Sequence, residues 1–255
     1  MTWKIQAGQD SDVVNYIAAV ETADGQSLES GVKLAYHNFI IGCKADGIWN
    51  AIKASCILAG ARTLSGALVP LKGTAPTNFN FVAGDYNRET GLVGDGSTKY
   101  LDSNRNDNAD PQNNRHLSVF RTAAGATAGC LIGSVETTGS FNKSTFIDFY
   151  NYWRFAAASF GINVGGYAFT TLNFFGVSRS NSASITYRIN GASGAASDTS
   201  VGVINQNYYV FNRNATSNYF SRDRLSFYSI GESIDLVLLD ARVTQLMTDI
   251  GAAIP

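Results

Sequence analysis

Acidic and amide side chains are concentrated in one stretch of this sequence, residues 102–114. The stretch carries Asp102, Asp107 and Asp110 among several asparagines, and their oxygens are the hard ligands that calcium takes. The spacing lacks the central glycine and the terminal glutamate of an EF-hand loop. Two interpretations therefore stand: a calcium site on these three aspartates, or a surface loop whose side chains close turns on the local backbone.

Aromatic side chains beside asparagines form a second group, because a flat ring can stack on a sugar while an amide binds its hydroxyls. Most aromatic residues in strands fill the core between two sheets. Tyr208 and Tyr219 stand close to asparagines, and we expect their rings to be exposed. Asn205 and Asn207 precede Tyr208 and would supply hydrogen bonds. We predict that these four residues form the ligand-binding site.

The pattern of acidic residues disfavours glycoside hydrolysis, which needs two carboxylates facing each other across a cleft. The sequence holds five glutamates, and none is paired with an acid two residues away in a strand pattern. Acids from distant strands could still meet. No Gly-Xaa-Ser-Xaa-Gly elbow stands between a strand and a helix. We therefore predict no catalytic residue and no enzymatic activity.

The remaining residues of chemical interest have structural interpretations. His37 and His116 are far apart in the sequence, and neither has a second metal ligand nearby. The spaced glycines of residues 91–96 precede a predicted strand, whereas a dinucleotide-binding loop needs a helix at that point. Apart from the calcium considered above, we predict no cofactor.

Composition excludes several classes of protein. Only 15% of the 255 residues are charged and the net charge is −1, so no basic patch indicates nucleic-acid binding. A hydrophobic fraction of 45% is enough for a substantial core. Cys43, Cys56 and Cys130 are odd in number and widely spaced, which predicts buried reduced thiols. The sequence shows no signal peptide and no membrane span, so we expect synthesis in the cytoplasm of the cell that produces it.

The sequence pattern of the first quarter of the chain predicts helices. Apolar spacing predicts one helix over residues 11–22, capped by Asp10 or Ser11, and a second that starts near Ser27 or Ser30. The spacing from Ile48 to Leu58 predicts a third. Because the later helices are apolar on more than one face, we assign residues 1–72 to a segment that docks on the rest of the chain or on a partner.

Residues 73–255 have the pattern of an antiparallel β-sandwich followed by one helix. Short, alternating segments are separated by Gly, Asn and Ser turns, which favours a sandwich over a βαβ fold. Asn190-Gly191 fits a type I′ hairpin turn, and Ser233 is the expected cap of the C-terminal helix, which we place along the sandwich edge. The predicted strands are 78–82, 99–102, 116–121, 129–135, 146–150, 153–157, 172–179, 184–190, 208–212 and 224–229.

Three blocks of sequence occur together in an order that resembles a known family. They are residues 42–49 (Gly-Cys-Lys-Ala-Asp-Gly-Ile-Trp), 94–102 (Gly-Asp-Gly-Ser-Thr-Lys-Tyr-Leu-Asp) and 224–231 (Arg-Leu-Ser-Phe-Tyr-Ser-Ile-Gly). The combination resembles structural proteins of tailed bacteriophages whose main domain is concanavalin A-like, or laminin G-like. The resemblance implies a mainly β, jelly-roll sandwich and a location in the virion.

Two classes of function follow from these predictions. The first is a non-enzymatic virion protein, either a tail or fibre component or a capsid decoration, that contacts other virion proteins and sister copies in a homo-oligomer. The alternative is a carbohydrate-binding module that adheres to host-surface polysaccharide. A polysaccharide depolymerase is a third and less favoured interpretation. Neither nucleic acid nor membrane is an expected partner.

Overall fold

The computed structural model describes residues 10–136, 143–215 and 219–254. Within them the helices are α1 (Ser11–Asp24), α2 (Ser30–Ala45), α3 (Leu64–Ala67) and α4 (Leu236–Ala253). Asp10 caps α1, as predicted, by accepting a hydrogen bond from the backbone of Asp12. The predicted cap of the C-terminal helix is wrong by two residues, because Asp235 instead accepts from the first backbone N–H groups of α4. None of the described helices is long and apolar enough to cross a bilayer.

Strands account for most of the remaining regular secondary structure, and every strand predicted from the sequence overlaps one of them. The strands are β1 (Ile52–Ile57), β2 (Thr77–Phe79), β3 (Tyr86–Asn87), β4 (Gly91–Val93), β5 (Tyr100–Asn106), β6 (Arg115–Ala123), β7 (Cys130–Val135), β8 (Ser144–Tyr150), β9 (Tyr152–Ser159), β10 (Ile162–Val164), β11 (Asn173–Arg179), β12 (Ser184–Ile189), β13 (Ala192–Ser197), β14 (Asn207–Val210), β15 (Arg213–Asn214) and β16 (Arg224–Gly231).

The strands form two eight-stranded sheets that pack face to face. Sheet A has the order β13-β12-β11-β6-β16-β4-β3, with β1 also paired to β16. Sheet B has the order β10-β9-β8-β7-β14-β5-β2, with β15 also paired to β7. Nearly all pairs are antiparallel; β15 with β7 is parallel. The predicted fold class, an antiparallel β-sandwich of the jelly-roll type with N-terminal helices and a C-terminal helix, is confirmed.

The predicted third helix is wrong, because its central residues form β1. This strand pairs with β16 in register Cys56↔Tyr228. Both faces of β1 are covered: Cys56 lies in the core between the sheets, and Ile57 lies in the core under the helices. A strand buried on both faces has a continuous apolar sequence, which periodicity alone cannot distinguish from a buried helix.

Two turns follow directly from their sequences. Asn190 and Gly191 have φ values of 45° and 82° and close the β12–β13 hairpin, which agrees with the predicted type I′ turn.

In the turn before β5, a Cβ on Gly94 would lie 2.2 Å from the carbonyl oxygen of Ser221, so only glycine fits. Asp95 then accepts backbone hydrogen bonds from the residues that enter β5. Gly94 and Asp95 therefore have a structural role, because they fix the turn that leads into β5.

Sheet A separates two apolar cores. Leu117 and Val119 of β6 point into the core between the sheets, whereas Phe120 points to the helices. Phe174 of β11 and Phe227 of β16 also face the helices. The helix α4 contributes one apolar stripe to this second core, so it lies over the face of sheet A and not along the sandwich edge as predicted. The molecule thus has three layers: helices, sheet A and sheet B.

The three cysteines are free and buried, as the sequence predicts. Cys43 lies under the helices and Cys56 between the sheets. Burial raises the pKa of both Cys43 and Cys56 to about 12, so each remains a protonated thiol at neutral pH. They act as small apolar side chains of the core.

The helix–sheet core predicts a large loss of stability for Phe227→Ala. Phe227 is fully buried and meets the ring of Phe39 edge-on, with 5.7 Å between centroids. Truncation leaves a cavity between sheet A and α2, so the free energy of unfolding falls by about 3–5 kcal/mol in urea titrations. The control Phe160→Ala removes a ring that is 61% exposed and changes stability by about 0.5 kcal/mol or less. Equal effects of the two variants would contradict a packed helical layer.

Candidate ligand-binding site

Tyr208 is buried, so the prediction that its ring is exposed is wrong. Its exposed fraction is 1%, and its hydroxyl donates to the carboxylate of Asp107 at 2.7 Å. The Arg115 guanidinium donates to the same oxygen at 2.8 Å. The backbone N–H of Ile204 binds the second carboxylate oxygen at 3.0 Å. These residues form a closed polar network inside the sandwich.

The three aspartates predicted to bind calcium are not brought together. Asp107 is occupied by Arg115 in the interior, and Asp110 accepts from the Arg105 guanidinium through both oxygens. Asp102 closes a turn on the backbone N–H of Asn104. In the part of the chain that the structure describes, no group of three or more His, Cys, Asp or Glu side chains is placed to hold a metal ion. The geometry matches the second interpretation of this stretch, in which the side chains close turns.

The two asparagines of the predicted site lie apart from Tyr208. Asn205 accepts from the side-chain amides of Asn106 and Asn108, which closes the loop before β14. Asn207 donates to the carboxylate of Asp102 at 3.3 Å. Two residues that the sequence assigned to different sites, Asp102 and Asn207, therefore meet at one place on sheet B.

That place is the outer face of sheet B, where three aromatic rings lie in line across neighbouring strands. Tyr100 of β5 stacks on Phe79 of β2 with 4.4 Å between centroids and 4° between planes. On its other side, Tyr100 lies 4.5 Å from the ring of Tyr209 of β14. Phe220 approaches Tyr100 at 6.1 Å. We call Phe79, Tyr100 and Tyr209 the outer aromatic row.

Strand alternation places the row outside and its neighbours inside. Leu101 and Val210 are paired across β5 and β14 and both point into the sandwich core. Because successive side chains alternate between faces, Tyr100 and Tyr209 point outward. Tyr208 shares the inner face with Val210, two residues on. The sequence therefore contained the signal that Tyr209, and not Tyr208, is the outward tyrosine.

Polar groups border the outer aromatic row. Asp102 is the partner of Tyr209 across the β5–β14 pair, and the side chain of Asn207 bonds to it. Partial burial, and the neighbouring Tyr100, raise the pKa of Tyr209 to about 12. Both tyrosines are therefore neutral phenols at physiological pH and can donate hydrogen bonds to a ligand.

A second aromatic group lies farther along the same face, around Tyr219. The Tyr219 hydroxyl donates to the carbonyl of Phe149 at 2.6 Å, and the Arg213 guanidinium lies 5.0 Å over the ring. Tyr219 is thus half-buried and engaged within the protein, in contrast to the predicted exposure. Tyr150 and Tyr152, at the β8–β9 turn, are 60% and 53% exposed.

His116 has the structural role that the sequence predicted. The ring is buried in sheet A, with Nδ1 next to the carbonyl of Glu232 and Nε2 next to the hydroxyl of Ser229. Burial lowers the pKa of His116 to about 4, against a weaker opposing effect of the Glu232 carbonyl. The imidazole is therefore neutral in the folded protein at neutral pH.

The outer aromatic row and its polar border suit an amphipathic ligand. The ring edges offer apolar contact, and the phenol, amide and carboxylate groups offer donors and acceptors beside it. Of the predicted site residues, the structure places Asp102 and Asn207 here. Tyr208 and Asp107 lie in the interior, and Asn205 and Asp110 lie in loops at the end of the sandwich.

Comparisons with known proteins identify the fold and no family. No protein-family model and no curated protein matches the sequence. A mutant of HCR/D aligns with a TM-score of 0.51 at 12% identity, over 77% of this chain and 53% of that chain. A mutant of Trypanosoma rangeli sialidase aligns with a TM-score of 0.48 at 12% identity, over 78% and 33%. The botulinum neurotoxin serotype D binding domain aligns with a TM-score of 0.48 at 11% identity, over 77% and 50%.

This chain spans from a third to about half of the length of those three proteins. At such identity, the likeness to the HCR/D mutant shows the fold alone, a β-sandwich.

The interior network predicts that Asp107→Asn is strongly destabilising. The substitution keeps the shape but leaves the buried Arg115 guanidinium without its counter-charge, so unfolding free energy falls by about 3–5 kcal/mol. Glu232→Gln is the control, because it removes a partly exposed pair with Lys53 at 3.0 Å and costs about 1 kcal/mol or less. Chemical denaturation measures both. A loss for Asp107→Asn no larger than the control would show that the network contributes little.

Because the imidazole of His116 is buried and neutral, we predict that the folded protein loses stability as the pH is lowered. As pH falls from about 6.5 towards 4, the unfolded state gains a proton on His116 that the folded state does not. The free energy of unfolding therefore decreases over this window, by roughly 3 kcal/mol in total. His116→Gln removes the proton uptake, so the difference in stability between wild type and variant should shrink as the pH is lowered through that window. A constant difference from pH 7 to pH 4 would contradict a neutral buried His116.

Proposed function

We propose that this chain is a non-enzymatic glycan-binding domain of a tailed-bacteriophage virion, displayed as part of the tail or fibre or as a capsid decoration. The observation that carries the proposal is the outer aromatic row, which lies beside Asp102 and Asn207 on the face of sheet B that points away from the helices. Host-surface polysaccharide is the proposed ligand class.

The chemistry of the row supports a saccharide. A sugar ring presents patches of C–H groups next to hydroxyls, and it binds surfaces that combine aromatic carbon with fixed hydrogen-bonding groups. Phe79 is 37% exposed and lies at one end of the row, with Tyr209 at the other. Tyr209 carries a hydroxyl, and Asn207, two residues earlier on β14, carries an amide, so two hydrogen-bonding groups lie close together on this strand. Rings held by mutual stacking lose little freedom on binding.

The placement of the acidic side chains supports a non-enzymatic role. Six aspartates are buried and paired with an arginine, which fixes each carboxylate within the structure and away from an open cleft. The pairs are Asp107–Arg115, Asp110–Arg105, Asp148–Arg154, Asp198–Arg179, Asp223–Arg121 and Asp240–Arg188.

The virion location rests on the resemblance of three sequence blocks to phage structural proteins. Two of these blocks occupy key places in the fold: residues 94–102 form the turn into β5, and residues 224–231 form β16. The helical layer covers sheet A, on the side opposite the outer aromatic row. An attachment through the helical side would therefore leave the row free to contact a host surface.

Glycan binding should depend on Tyr209. We expect the wild-type protein to bind bacterial envelope polysaccharides on an array, and Tyr209→Ala to weaken that binding by about tenfold or more. Tyr152→Ala is the matched control, because it removes a tyrosine that is 53% exposed on a distant turn. Retained binding by Tyr209→Ala, or a wild-type protein that binds no glycan on the array, would contradict the proposal.

The other parts of the proposal have separate readouts. Incubation with a bound polysaccharide should release no reducing ends, and release that is lost on substitution of an acidic residue would instead establish a depolymerase.

Immunogold labelling of intact phage particles should mark either the tail or the capsid surface. Particles that lack the protein would exclude a virion role without bearing on glycan binding.

A further inference from the structure

The two sheets end in edge strands of very different length. Sheet B ends in β10 and β2, with three residues each, and sheet A ends at one side in β3, with two residues. The other edge of sheet A is β13, with six residues. A short edge offers few unpaired backbone groups, whereas a long and regular edge is a template for another strand. β1 also has six residues and pairs on one side only, but Leu71 and Lys72 bond to Ser55 on its other side and five of its six residues are buried. Among the described strands, β13 is thus the long edge that is left open for pairing.

The hydrogen-bonding pattern shows which groups of β13 are free. All six residues of β13 pair with β12 without a bulge, from Ile189↔Ala192 onward. A two-residue hairpin turn closes on a hydrogen-bonded pair, and the pattern then alternates along the strand. Ser193, Ala195 and Ser197 therefore turn their backbone N–H and C=O groups away from β12, towards the outside of the sheet.

β13 lacks the features that normally protect an edge. Its sequence, Ala-Ser-Gly-Ala-Ala-Ser, contains no charged residue and no proline, and most of its side chains are exposed. Other proteins block an exposed edge with lysine, proline or a bulge. The absence of all three within this strand indicates an edge that is used.

We propose that β13 pairs with β13 of a second copy of this chain, antiparallel and centred on Ala195. In this register Ala195 faces Ala195 of the partner subunit, and Ser193 faces Ser197 of the partner subunit. All free backbone groups of the three residues find partners. A second copy fits better than a charged or bulky peptide, because the uncharged strand is complementary to itself and places no like charges opposite each other.

A groove beside β13 extends the same surface. It has a volume of about 550 Å³ and lies between Gly194 and Ala195 on one side and the residues that begin α4 on the other. Val237 lines the groove and is 50% exposed, and the next residue, Leu238, is 36% exposed. A two-fold axis at Ala195 brings the α4 ends of both copies to the same side of the joined sheet, where these apolar side chains lose contact with water.

The pairing has a geometric consequence. Joining two copies through sheet A keeps both B sheets on one side of the continuous sheet, so both outer aromatic rows face the same direction. Two weak sites on one rigid body would bind a repetitive polysaccharide with avidity. The self-association itself does not depend on the proposed glycan binding.

Sedimentation of the full chain tests the pairing. We expect wild-type protein to sediment as a dimer, and Ala195→Pro, which removes the central outward N–H, to raise the dissociation constant by about tenfold or more. Circular dichroism and thermal unfolding report whether the variant still folds. A wild-type protein that remains monomeric at high micromolar concentration would overturn the proposal.

Crosslinking tests the register independently of that variant. Ala195→Cys should place two thiols opposite each other at the dyad, and a short bis-maleimide should join them. Ala192→Cys is the matched control on the same strand, because the two copies of residue 192 lie roughly 20 Å apart in this register. The native cysteines are buried. Equal crosslinking of the two variants, or crosslinking of Ala192→Cys alone, would overturn the pairing centred on Ala195.

Discussion

Sheet A has apolar side chains on both faces, and both faces must be covered before any other part of the fold can be stable. Sheet B covers one face and the helices α1, α2 and α4 cover the other, where Phe120, Phe174 and Phe227 project from three adjacent strands. Burial of this aromatic surface is what gives the short helices their stability, since isolated helices of such length are marginal in water. The N-terminal segment is therefore packed within the fold, with β1 as part of sheet A. The outer face of sheet B is left as the side on which a ligand can bind.

Buried ion pairs complete the architecture at the two ends of the sandwich. Asp107 with Arg115 holds the loop before β6 to the first residue of β6, and Asp223 with Arg121 holds the segment before β16 to the opposite end of β6. Such pairs are costly to bury and costly to break, so they act mainly by allowing one arrangement of the chain. The Asp107 network also fixes Tyr208 inside the sandwich. Strand alternation then presents Tyr209 on the outer face, which links the interior chemistry to the proposed binding surface.

Local patterns in the sequence predicted much of the fold, and they failed where tertiary contacts decide the outcome. The Asn190-Gly191 turn and the strands beside it follow from conformational preferences that each residue carries with it. The sequence of β1 resembles that of a helix because burial on both faces removes the strand alternation. The asparagines beside Tyr208 suggest an exposed ring, although its spacing from Val210 indicates the inner face. The outer aromatic row was not predictable as a unit, because Phe79, Tyr100 and Tyr209 are distant in sequence and meet only through strand pairing.

We propose that the outer face of sheet B binds a sugar, whereas the face of sheet A that the helices cover does not. The most direct measurement is a crystal structure of the protein with an oligosaccharide that it retains on an array. We predict a sugar ring in contact with Tyr209, with Asn207 or Asp102 within hydrogen-bonding distance of the sugar hydroxyls. A sugar bound on the helical side, or in the loops around Asn205, with Tyr209 untouched, would contradict it.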